Sequence, residues 1–216
     1  MTVKELFQEA DRMKGELTEP KTKDMVEFMT QNTYLEKEKE DLDVRKGQEA
    51  AVQHIVNIAA DPSLVLTEDL IKKIHYLIYQ YSDAECAGQY RKKEVAHAFA
   101  AATYPDAADI PHLMEHFIGQ MEYSCHLMHP IEFAAMCHKR IMDIMPFENG
   151  SSCVARYLLN VILLKEGYPL TTIYENQKDE YVKALRAIQR QNDPDIDQYL
   201  SFIIQCVINA EKKLVL

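Results

Sequence analysis

A mainly α-helical bundle carrying one small β-hairpin is the fold this sequence predicts. Three observations lead there. Long stretches of the 216-residue chain repeat apolar residues every three to four positions, and only 6 Gly and 8 Pro interrupt them. One such stretch, from Ser151 to about residue 166, is apolar on nearly every side, and a helix of that kind belongs in the middle of a bundle. One region, residues 86–110, breaks the helical pattern and alternates weakly instead.

The elements follow in order. Residues 3–17 form a first helix with Leu6, Ala10, Met13 and Leu17 on one face. Pro20 separates it from a second helix at about 22–33, which carries Met25, Phe28 and Met29. Glu36 to Asp43 is highly charged and reads as a solvated face or loop. A helix over about 45–60 ends at Asp61-Pro62. Thr67 can cap the next helix, with Glu68 and Asp69 filling its positive first turn. That helix runs to about Tyr81, with Leu70, Ile74, Leu77 and Ile78 inward. Cys86-Ala87-Gly88 is a turn, and Gln89 to Thr103 reads as a short hairpin or extended flap.

Helical periodicity resumes over about 110–127. Pro130 fits the first turn of a helix whose stripe is Ala134, His138, Ile141 and Met145. A turn at 146–150 leads into the apolar helix from Ser151, which Gly167 and Pro169 end. Helices over about 177–190 and 194–213 complete the chain. The whole reads as one domain over 1–216, with N-terminal helices to about residue 45 and a core over about 46–213.

Hydrophobic residues make up 47% and charged residues 27%, a globular balance. The net charge of −10 carries no compensating basic cluster, so nucleic acid is not an expected partner. No run approaches the roughly 18 apolar residues of a membrane span, and the first ten residues lack a signal-peptide core. Five Cys without a C-x-x-C pair read as reduced thiols in a cytoplasmic protein.

The chemistry-bearing segment is Met145 to Arg156, M-P-F-E-N-G-S-S-C-V-A-R. Pro146, Phe147 and Gly150 make a turn, with Asn149-Gly150 a common turn dipeptide. Ser151 or Ser152 could simply cap the helix that follows. Free N–H groups at a helix start, with Arg156 one turn inside, also form a recipe for holding an anion. A buried Arg demands a carboxylate or a bound anion. A structural salt bridge and an anion site therefore stand at even odds. Asn160 shares the face of Arg156. Cys153 reads as a buried small hydrophobe. Met145 can neither accept nor donate a catalytic proton. His126, His129, Cys125, Cys137 and His138 match no recognised zinc spacing, so no metal is expected there. His138 and His75 read as hydrogen-bonded core residues. His97 lies in the flap.

The segment resembles the core of the Fic (Fido) domain family, whose motif is H-P-F-x-[DE]-G-N-G-R-x-x-R. H-P-I-E-F-A-A-M-C-H before it, R-Y-L-L-N-V-I-L-L-K-E-G-Y-P after it, A-G-Q-Y-R at 87–91 and Asp109–Met114 are also similar to Fic segments. The likeness covers about residues 25–210. It implies a Fic-type helical bundle with a β-hairpin flap, here about Val95–Thr103, that aligns a target or regulatory protein. It implies AMP transfer from ATP with Mg²⁺ to a hydroxyl of a target protein.

Position by position the motif is degraded. Met145 stands where the family's proton-accepting His belongs, and neutral Asn149 replaces the Mg²⁺-binding acid. Ser151, Ser152 and Cys153 replace the Asn-Gly-Arg that cradles phosphates. Pro146, Phe147, Gly150 and Arg156 survive. Glu148 and His97 are the substitute bases to consider. The resemblance also implies an inhibitory helix, [ST]-x-x-x-E-[GN]. N-T-Y-L-E-K at 32–37 takes that place, with Glu36 facing Arg156, though Asn32 and Lys37 depart from the pattern.

The leading expectation is a catalytically impaired Fic-fold protein that retains nucleotide or phosphate binding at Gly150, Ser151, Ser152 and Arg156, or partner binding through the flap. The alternatives are an active transferase of a phosphate-containing group with a non-His base, and a pure protein-interaction module, which includes a homodimer.

Overall fold

The computed structural model describes residues 1–17, 22, 24–36, 42–95, 104–190 and 192–215, with backbone alone at 33–36. Among them are nine α-helices: α1 Val3–Lys14, α2 Met25–Glu36, α3 Leu42–Ala59, α4 Glu68–Tyr79, α5 Ile110–Ser124, α6 Pro130–Ile144, α7 Ser151–Lys165, α8 Lys178–Ile188 and α9 Ile196–Lys212. Short 3₁₀ turns precede α5 and α8.

Helix α7 is the axis of the bundle. Every residue from Ser151 to Leu163 is buried, which is what its all-round apolar sequence requires. It packs most extensively on α6 and also meets α2, α3 and α4. Helix α1 lies on α9, so the two end helices touch. The α3–α4 contact depends on Gly47, where a Cβ would stand 1.9 Å from the Ile78 carbonyl oxygen.

Local chemistry explains the helix starts. Thr2 and Glu5 form a capping box on α1, and the Thr67 hydroxyl accepts the Leu70 N–H at 3.2 Å. Pro130 occupies the first turn of α6, and the His129 ring caps it by accepting the Ile131 N–H.

Several boundaries differ from the sequence reading. Helix α1 stops at Lys14, before Gly15, rather than at residue 17. Helix α2 continues to Glu36, so Asn32 and Glu36 share one helix. Helix α3 starts at Leu42, inside the charged run. Helix α5 ends at Ser124, not 127. No strand occurs among the described residues, and 89–95 form turn and coil. Residues 96–103, the greater part of the expected flap, lie outside the described residues, as does His97.

The five cysteines form no disulfide. Among the described residues no helix is long and apolar enough to cross a membrane.

Candidate functional site

The loop between α6 and α7 is built from its two ends inward. Helix α6 is closed by Met145 in the left-handed region, φ 47° and ψ 62°, with its N–H donating to the Ile141 carbonyl at 2.8 Å. Glycine or asparagine usually takes such a position, and a larger side chain there costs roughly 1–2 kcal/mol. Met145 keeps it because its side chain is buried and its carbonyl oxygen accepts the Nε–H of Arg91 at 2.8 Å.

Arg91 is itself buried. Its backbone N–H donates to the Pro146 carbonyl at 2.9 Å. Its guanidinium donates further to the carbonyl oxygens of Lys93 at 3.0 Å and Pro105 at 2.5 Å. One side chain therefore ties the motif loop to both segments that flank residues 96–103. Nothing in the spacing of A-G-Q-Y-R announces that role. A buried arginine beside a turn is the only signal.

Phe147 is fully buried. Its ring stacks on the His75 imidazole with centroids 3.9 Å apart and planes 4° off parallel. His75 Nδ1 accepts the Gly88 N–H at 2.8 Å. The other ring nitrogen therefore carries the proton and donates to the Asn149 carbonyl at 3.1 Å. Burial pulls the His75 pKa down to about 4, against the opposing pull of that hydrogen bond. His75 is the hydrogen-bonded core residue the sequence suggested, and it fixes the loop as a neutral ring.

The start of α7 corrects one reading. Neither serine caps the helix. The cap position is Gly150, left-handed at φ 71°, with no side-chain hydrogen bond. The Ser151 hydroxyl turns back into the loop, accepting the Phe147 N–H at 2.9 Å and donating to the Phe147 carbonyl at 3.1 Å. Ser151 and Ser152 are only 1% and 2% exposed, and Arg156 1%. A Cβ on Gly150 would stand 2.3 Å from the Tyr79 phenol oxygen, so Tyr79 packs closely against the turn.

Arg156 Nε donates to the side-chain oxygen of buried Asn32, which lies on α2. Asn32 Nδ2 donates in turn to the Phe28 carbonyl at 2.7 Å. Phe28 meets the Tyr157 ring edge-on at 5.0 Å. Helix α2 is thus seated directly over Arg156. The Glu36 side chain lies outside the described residues.

Asn160 serves a different purpose from Arg156, its neighbour on the same face. Its carboxamide donates to the Thr171 carbonyl at 2.9 Å and accepts the Thr171 N–H at 2.6 Å, latching the segment after α7. Gln48 was not legible as important. It donates to Cys153 Sγ at 3.6 Å and accepts the Tyr157 hydroxyl at 2.5 Å.

Of the two substitute bases, His97 lies outside the described residues. Glu148 is exposed and pairs with Lys93 at 3.7 Å. His138 is fully buried, between the Tyr199 and Tyr181 hydroxyls at 2.8 and 2.9 Å. Tyr199 donates to the Ala135 carbonyl, so it accepts from His138 Nδ1, and Tyr181 donates to Nε2. Burial takes the His138 pKa down to about 3. His129 pairs with Asp11 at 3.3 Å.

The donor set at the loop does not fit Mg²⁺. Asn149 offers a neutral oxygen, Glu148 is turned to Lys93, and the Ser151 hydroxyl is occupied by Phe147.

Residues 65–163 match the Fic/DOC family. A protein adenylyltransferase Fic of Aedes aegypti is 29% identical over 161 residues, which are 74% of this chain and 31% of that protein. The chain thus spans about a third of that relative's length. The solved structure of a Fic domain containing signaling protein from Bacteroides thetaiotaomicron superposes with a TM-score of 0.82 at 20% identity, over 99% of this chain and 95% of the other. A structure of IbpAFic2 covalently tethered to Cdc42 superposes with a TM-score of 0.61 at 17% identity, over 96% and 70%. The loop of residues 145–156 therefore lies within the stretch that matches the Fic/DOC family, in a chain whose fold is similar to that of solved Fic domains.

Proposed function

We propose that this protein is a catalytically impaired Fic protein, held closed by its own second helix, that acts through binding rather than through AMP transfer. The observation that carries the reading is Met145. It occupies the proton-accepting position of the family motif, buried and locked in the left-handed region. Among the described residues no protonatable side chain replaces it: His75 is held neutral between Gly88 and Asn149, and Glu148 is turned to Lys93. Loss of a general base alone costs on the order of 10²- to 10⁴-fold. The missing metal ligand and first phosphate-binding cation add further factors.

Closure supports the same reading. The serines at the start of α7 and Arg156 are buried, and α2 supplies Asn32 to the Arg156 guanidinium. Nucleotide or phosphate entry at Gly150, Ser151, Ser152 and Arg156 requires α2 to move away. The relative's name gives AMP transfer as its activity. The Cdc42-bound neighbour is a case of a Fic domain holding a protein. For this chain, a protein partner at the 95–103 flap is the corresponding expectation.

The test is incubation with ATP labelled on its α-phosphate, Mg²⁺ and a cell extract. The expected result is no transfer above background. Strong labelling that Arg156→Ala abolishes would overturn the impaired reading and favour a transferase with a base other than His.

A further inference from the structure

A second site lies apart from the motif loop, in a cleft of about 230 Å³ between α5 and α6. Its floor is apolar: Phe117, Met121, Met128, Phe133 and Met136. Three of these side chains are thioethers, which adapt to ligands of varied shape. Two cations line the cleft, Lys139 and Arg140. They differ in state. Lys139 is satisfied by Asp143 at 2.6 Å, and Asp143 is held again by Gln189 at 2.9 Å. Arg140 has no such partner among the described residues, and its Nε is buried without an acceptor.

That Nε is closed to solvent, but the two terminal amino groups of Arg140 are not, and a planar pair of such donors fits a carboxylate in bidentate fashion. Beside an apolar floor, that defines the ligand chemically: one negative head group at Arg140 and a short apolar body on the methionines. The volume is below the roughly 300–1,000 Å³ of sites for drug-sized molecules, so the body is short. We infer that the α5–α6 cleft binds a small amphipathic carboxylate of the medium-chain fatty acid class, with Arg140 as its anion partner. The inference goes beyond the Fic reading and does not depend on it, since no residue of the 145–156 segment lines the cleft.

Sodium octanoate is the probe, titrated into protein carrying ¹³C-methyl methionine. Saturable shifts confined to Met121, Met128 and Met136 are expected. Arg140→Gln is expected to weaken octanoate binding by about tenfold or more, and to leave the weaker binding of 1-octanol unchanged. Absence of shifts at millimolar octanoate overturns the site. Equal octanoate affinity in Arg140→Gln overturns the role of Arg140, as does equal binding of octanoate and 1-octanol by the unmodified protein. Should Arg140→Gln fail to fold, the octanoate preference of the unmodified protein decides alone.

Discussion

Arg91 Nε lies 2.8 Å from the carbonyl oxygen of Met145. That single bond joins the left-handed end of α6 to the segment that leads into residues 96–103. With the bonds to Lys93 and Pro105, it makes Arg91 the shared support of loop and flap base.

Replacing Arg91 by Met is expected to destabilise the fold by about 3 kcal/mol, because three carbonyl oxygens lose a charged donor at once. Arg91→Lys should recover only part of this, since an ammonium lacks the guanidinium's fixed fork. Urea unfolding of the two variants measures the difference. Stability equal to the parent in Arg91→Met would show that the clamp contributes nothing.

Gly150→Ala should cost at least about 2 kcal/mol, combining a left-handed alanine with a collision against Tyr79. The two causes separate in a double-mutant cycle. In a Tyr79→Ala background the collision is gone and only the backbone cost remains, so a coupling above about 1 kcal/mol is expected. Strict additivity would rule out the contact.

Acid should weaken the protein because two buried histidines resist protonation. His75 and His138 have folded pKa values near 4 and 3, against 6.5 for an ordinary imidazole. Between pH 6.5 and 4 the unfolded chain binds protons that the folded chain refuses, so stability falls as pH falls through that window. His75 ceases to contribute below about pH 4. Thermal unfolding across the window should show the decline, and His75→Gln should flatten it.

Glu211 works in the opposite sense. It is fully buried on α9, and both carboxylate oxygens lack a hydrogen-bond partner among the described residues. Burial pushes its pKa up to about 8; of the charges on α1, Asp11 and Glu9 push the same way, and Lys14 and Arg12 oppose. A raised carboxyl pKa gives stability that is complete below about pH 4.5 and is lost as pH rises toward 8. Glu211→Gln is therefore expected to add about 2 kcal/mol at pH 8 and little at pH 4.5. Destabilisation at pH 8 would contradict this.

The sequence carried the helices well because most have a clean apolar stripe or, in α7, no polar face at all. Thr67, Pro130 and Gly150 act through local backbone chemistry, and local chemistry is legible in a string of residues. The α6–α7 turn fell at 146–150, bounded by Met145 in a left-handed cap and by Gly150. What stayed hidden depends on partners far apart in the chain. Asn32 meets Arg156 across 124 positions, and Gln48 meets Tyr157 across 109. No periodicity encodes such pairings. Ser151 illustrates the same limit at short range. Its residue type suggested a cap, but the tight Phe147–Ser151 turn offered its hydroxyl a donor and an acceptor at once. Arg91 needed three carbonyl oxygens from separate segments before its purpose could be seen.

The pairing of α1 with α9 has a mechanical consequence. A pull applied between the first and last helices loads their mutual interface directly, before it reaches the α6–α7 pair. Under tension the end helices should part first and leave the motif loop folded.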